Sequence, residues 1–119
     1  DVLDYGRNLK TETEELENKE MFGELVDQML EFWENNLHNY FKRKKDLDIA
    51  FAVLELFRKR QFIENFNKKA LYILIREMTG SKTQHITRIV NLMKKYNMNL
   101  MVEFRNTGQI DTANTGSFL

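Results

Sequence analysis

The stretch Lys68–Tyr96, KKALYILIREMTGSKTQHITRIVNLMKKY, contains two amphipathic segments separated by a Thr-Gly break. In the first, Leu71, Tyr72, Leu74, Ile75 and Met78 recur at helical spacing, which predicts a helix over about 68–78 with that set buried. Asn67 can cap its start through the side-chain oxygen, and Gly80 can take a positive φ and close it. Beyond the glycine, Ser81-Lys82-Thr83-Gln84 has the spacing of a capping box. It opens a helix over about 82–96 with Ile86, Ile89, Val90, Met93 and Tyr96 inward. His85, Thr87, Arg88, Asn91, Lys94 and Lys95 then face away from the core, and the segment contains no Asp or Glu. Two helices joined by a tight glycine turn, the second one capped and basic, make a helix-turn-helix pattern. The major groove admits one α-helix, which needs an anchored apolar face and an outer face of donors with no carboxylates to repel phosphate.

Upstream, Ile49, Phe51, Ala52, Val53, Leu54, Leu56 and Phe57 predict a central helix over about 47–60, started by Asp46 or Asp48, with 61–67 as a connector. Further back, Thr11-Glu12-Thr13-Glu14 reads as a capping box. The apolar series from Phe22 to Phe41 then predicts one long amphipathic helix over about 11–44, on the order of 50 Å, ending in Lys42-Arg43-Lys44-Lys45. A rod that long outreaches a globule of this size, so part of it is expected to bend back or to pair with another chain. Residues 1–10 are expected to fray. Trp33 sits on the apolar stripe as core or subunit interface, and Phe41, Phe57 and Phe62 are expected to pack in the core.

Downstream, Met98–Phe104 alternates, with Leu100, Val102 and Phe104 on one side, and Asn106-Thr107-Gly108 is a hairpin signal. These predict two short strands, the second over about 109–111, and a flexible tail over 112–119. The expected fold class is all-α with a small C-terminal β-hairpin wing. Three parts are expected: an acidic N-terminal helix over 1–45 for dimerisation or docking, a basic helix-turn-helix domain over 46–111, and the tail.

The formal net charge of zero conceals a polarity. Residues 1–36 carry eleven Asp or Glu against three Lys or Arg, and residues 37–119 carry seven against fifteen, so the two parts stand at −8 and +8. Such asymmetry points to a basic working surface beside an acidic appendage, or to two oppositely charged faces packed together. There are no cysteines, which excludes disulfides and thiolate chemistry and fits a cytoplasmic protein. No apolar run is long enough for a membrane span. No nucleophile elbow, phosphate-cradling glycine loop or HExxH is present, and neither His38 nor His85 has a carboxylate at metal-ligand spacing, so no enzyme, metal site or cofactor is expected.

Ser81-Lys82, Ile86-Thr87-Arg88-Ile89-Val90 and Lys94-Lys95 together resemble the recognition helix of winged helix-turn-helix regulators of the MarR type, over about 45 residues. The resemblance implies that Met98–Asp111 forms a two-stranded wing with Arg105 near its tip. It also implies that Thr83, Gln84, His85, Thr87 and Arg88 face the groove, while Lys82, Lys94, Lys95 and Arg105 contact phosphates. Asn91 lies on the same outer face. Double-stranded DNA would then be the partner, in transcription regulation of bacterial or phage type, with a homodimer presenting two such helices about one DNA turn apart. Three other readings stand beside it. The chain could be a non-catalytic helical subunit docking on a larger assembly, or an RNA binder. Lys42–Lys45 with Arg58–Arg60 could also form a phosphate patch, against the plainer role of matching helix-end dipoles.

Overall fold

The computed structural model describes the backbone over residues 12–113 and side chains from Lys19 onward. It contains four α-helices, α1 Glu12–Tyr40, α2 Lys44–Arg58, α3 Lys68–Thr79 and α4 Thr83–Thr107, with a 3-10 turn at Arg60–Phe62. No strand occurs among the described residues, so this part of the chain is all-helical. The capping box at Thr11, the fraying of 1–10 and the tail from 114 lie outside the described residues.

The four helices share one apolar core. Its largest fully buried side chains are Phe32 and Trp33 of α1, and Leu25, Leu37, Ile49, Ile86, Ile89 and Leu100 surround them. Trp33 meets Phe32 edge-on at 5.5 Å between ring centroids and Tyr96 of α4 at 6.0 Å, spacings at which aromatic pairs add to burial. The Trp33 indole N–H donates to Asn97 Oδ1 at 2.7 Å, so the ring is buried without an orphaned donor.

The ends of α3 follow their residues. Asn67 accepts from the Ala70 amide at 2.9 Å, and Gly80 closes the helix at φ 69°. The inner face is narrower than the spacing predicts: Leu71 and Ile75 are buried, Tyr72 and Leu74 half-buried, and Met78 is exposed. Phe51 of α2 is also exposed, resting against His38. Phe62 is 86% exposed rather than in the core, because it ends the 3-10 turn instead of continuing the inward face of α2.

Two expectations about chain path are overturned. The first helix stops at Tyr40, and Lys44 and Lys45 open α2 instead of ending α1. These lysines therefore lie at the positive end of a helix dipole, where they match nothing; Asp46 in the same turn is the residue that does. Second, Met98–Thr107 is no wing, because α4 runs unbroken to Thr107 and Leu100 and Phe104 continue the buried stripe of Ile86, Ile89 and Met93. The Asn106-Thr107-Gly108 signal belongs to a helix end: Gly108 at φ 78° returns its amide to Phe104 O at 2.7 Å.

After Gly108 the chain turns back onto α1. Ile110 is buried, and its amide donates to Gln28 Oε1 at 2.6 Å. The Thr112 carbonyl accepts from Asn35 Nδ2 at 3.0 Å and from the fully buried Asn36 Nδ2 at 3.3 Å.

Candidate nucleic-acid interface

α2 and α4 begin close together, which joins two basic segments far apart in sequence. Arg43, Lys45 and Asp46 from the start of α2 line one open cleft with Gln84, His85 and Arg88 from the first turns of α4. Asp46 lines it with a side chain only 11% exposed, and one of its oxygens meets both His85 and Arg88. His85 Nε2 lies 2.6 Å from Asp46 Oδ1, and Arg88 Nη2 donates to the same oxygen at 2.8 Å. An ionised carboxylate only accepts, so His85 Nε2 must carry the hydrogen. Burial works against the Asp46 charge. The hydrogen bonds from His85 and Arg88, with their charges, outweigh it and hold the carboxyl below its ordinary range.

The capping-box expectation at Ser81 fails in detail. The N-cap of α4 is Lys82, which makes no side-chain cap bond, and the Thr83 hydroxyl instead accepts from the Arg76 guanidinium of α3. A cation supplied by α3 thus occupies the Thr83 hydroxyl at the helix start.

The ten expected contact residues divide into three groups. Gln84, His85 and Arg88 gather in the cleft, with the Arg88 side chain still 51% exposed, while Lys82 and Thr83 lie just outside it at the helix start and are exposed. Thr87 is half-buried, whereas Asn91, Lys94 and Lys95 are exposed farther down the same helix. Arg105 is exposed in the last turn, about 26 Å along the axis from Arg88 at 1.5 Å per residue, and it belongs to no wing.

The residues missed by sequence reading as part of this site are Arg43, Lys45 and Asp46. The basic run at 42–45 was visible in the sequence. Its neighbour in space, 39 residues away through the Asp46–His85 contact, was not.

The other basic cluster has a different environment. Arg58 bridges to Glu34 at 2.9 Å and Glu55 at 3.1 Å, Lys59 to Glu55 at 2.9 Å, and Arg60 to Asp27 at 2.9 Å. Lys59 and then Arg58 hold the Glu55 carboxyl below its ordinary range. At the other end of α2, Lys44 pairs with Asp48 at 3.3 Å, while Arg43 and Lys45 have no salt bridge among the described residues, so the phosphate patch imagined from Lys42 to Arg60 splits into two ends of α2 that are paired to different degrees.

Among the described residues no helix is long and apolar enough to cross a membrane. Comparison with protein families, with characterised proteins and with solved structures finds no match to this chain.

Proposed function

We propose that this chain binds double-stranded DNA without catalysis, through the start of α4 and the adjoining Arg43–Lys45 segment, in a role such as transcription regulation. One observation carries the reading. In the cleft between the starts of α2 and α4, the single carboxylate, Asp46, is buried and already bound by His85 and Arg88, while Arg43, Lys45, Gln84 and half of Arg88 remain at the surface. A phosphate approaching this cleft meets positive charge and the positive ends of two helix dipoles. Down α4, Gln84, Arg88, Asn91 and Lys95 follow one another at four-, three- and four-residue steps on one exposed stripe, the geometry a groove-reading helix needs.

The helix-turn-helix reading keeps its helices and loses its wing. DNA contacts are accordingly assigned to α4 and the α1–α2 junction, with Arg105 on the distal part of α4. Fluorescence anisotropy of a labelled mixed-sequence duplex at two salt concentrations tests the proposal. Binding should weaken steeply with salt, and Arg88→Ala and the Lys94→Ala/Lys95→Ala pair should each weaken it. No salt-sensitive binding by the wild type would refute it. Tighter binding to single-stranded or A-form RNA would move the reading to RNA.

A second reading has its own support. On the distal half of α4, Met98 is 67% and Val102 53% exposed, one turn apart and opposite the buried Leu100. An outward apolar pair suits a helical subunit docked on a protein partner. Loss of a partner or of self-association on Met98→Lys/Val102→Lys, with DNA binding intact, would mark this second surface.

A further inference from the structure

Where all four helices converge, the core is not filled. A cavity of about 130 Å³ lies among Trp33 of α1, Phe57 of α2, Leu71 of α3 and Met93 of α4, and the exposed Lys68 and Lys94 also line it. Interiors pack to crystal density, and voids much larger than a water are few. An empty apolar void also leaves its lining atoms without dispersion partners. A dry apolar cavity of about 150 Å³ takes a benzene-sized guest, so this one suits an apolar chain of roughly six or seven carbons whose polar end reaches solvent.

The lining also states the chemistry of that molecule. Nearly all of it is aliphatic or aromatic, and its only charged members are two cations on different helices, both exposed and neither in a salt bridge among the described residues. Lys68 Nζ lies 5.8 Å from the ring centroid of Tyr72, another lining residue, within cation–π range. Asn97, also in the lining, accepts from the Trp33 indole through Oδ1 and so has its amide N–H groups left as donors.

The geometry points to a binding site for a small aliphatic monocarboxylate, its chain in the apolar cavity and its carboxylate between Lys68 and Lys94. This site is separate from the cleft at Asp46 and does not depend on the DNA reading. No nucleic acid enters its test.

Trp33 is the only tryptophan in the chain and lies 1% exposed in the cavity wall, so its fluorescence reports occupancy directly. Octanoate, with ten non-hydrogen atoms, is titrated against the full chain beside 1-octanol and octylammonium. Octanoate should give a saturable change in Trp33 emission, with a dissociation constant about tenfold or more below those of the other two. Lys68→Gln/Lys94→Gln, both at exposed positions, should erase that advantage and leave 1-octanol unchanged. Leu71→Phe should fill the space and abolish the octanoate response; if that variant does not fold by circular dichroism, the lysine pair decides. No saturable response to octanoate, equal binding of octanoate and 1-octanol, or an advantage that survives loss of both lysines would each overturn the proposal.

Discussion

The two ends of α2 carry similar basic runs in opposite circumstances. At its C-terminal end, Arg58, Lys59 and Arg60 complement the helix dipole and are bound by Glu34, Glu55 and Asp27. At its N-terminal end, Arg43 and Lys45 oppose the dipole, and the one nearby acid of the cleft, Asp46, is taken by His85 and Arg88. Among the described residues, the acidic helix α1 bridges to α2 and the adjoining turn through Asp27 and Glu34, both at this C-terminal end of α2. The difference teaches that charge content alone does not distinguish two basic runs. The fold pairs one run with carboxylates and leaves Arg43 and Lys45 of the other without such pairs among the described residues, and the proposed DNA contact rests on that.

The strongest way to break this contrast is to exchange the ends in a binding assay. Arg43→Ala/Lys45→Ala/Arg88→Ala should weaken duplex binding about a hundredfold at moderate salt and flatten the log–log salt dependence by roughly 2–3. Lys59→Ala/Arg60→Ala should change affinity less than about threefold. Anisotropy titrations across salt measure both, and equal losses from the two ends would dissolve the distinction.

Stability gives the next test. Asp46→Ala removes the acceptor of two charge-assisted hydrogen bonds at a buried position and should cost about 2 kcal/mol in urea unfolding. Glu55→Ala, at the exposed end, should leave the urea midpoint almost unmoved. The same asymmetry has a pH signature. Because the folded carboxyl of Asp46 is held below its ordinary value of 3.8, its contribution to stability is complete above that value. As pH falls through the lowered folded value, the contribution disappears. Asp46→Asn should therefore lose stability at neutral pH and show a shallower acid decline, measured as urea midpoints between pH 7 and pH 2.

The smallest effect sharpens the contrast most. Lys45→Glu places a carboxylate in the first turn of α2 and should stabilise the fold by about 0.3–0.5 kcal/mol while weakening duplex binding. On the proposed DNA reading, Lys45 opposes the dipole because it serves a phosphate rather than its helix. If Lys45→Glu binds duplex as wild type does, that explanation fails.

The helical framework was legible because it is written in local terms. Asn67, the aliphatic spacing of 68–79 and Gly80 fix α3 with no knowledge of what packs on it. The end of α4 was misread because two local signals agreed on the wrong answer. Leu100, Val102 and Phe104 alternate, and Asn-Thr-Gly suits a hairpin as well as a helix end. The longer register decides the matter, since Leu100 and Phe104 lie seven and eleven residues beyond Met93 and so on the same helical face. The cleft was legible only in halves. A basic run and a carboxylate-free helix can be read from the letters. That Asp46 binds His85 and Arg88 depends on how α2 and α4 cross, and nothing within either segment records that.

The return of residues 110–112 onto α1 has a consequence for synthesis. Asn36, fully buried on α1, and Gln28 meet carbonyl and amide groups that lie 76 and 82 residues later in the chain. On the ribosome α1 is made well before residues 110–112, so Asn36 and Gln28 wait through the synthesis of α2, α3 and α4 for these partners. Until residues 110–112 emerge, α1 presents Phe32, Trp33 and Leu37 without this closing segment, so the four-helix core is completed only after α4 has been made.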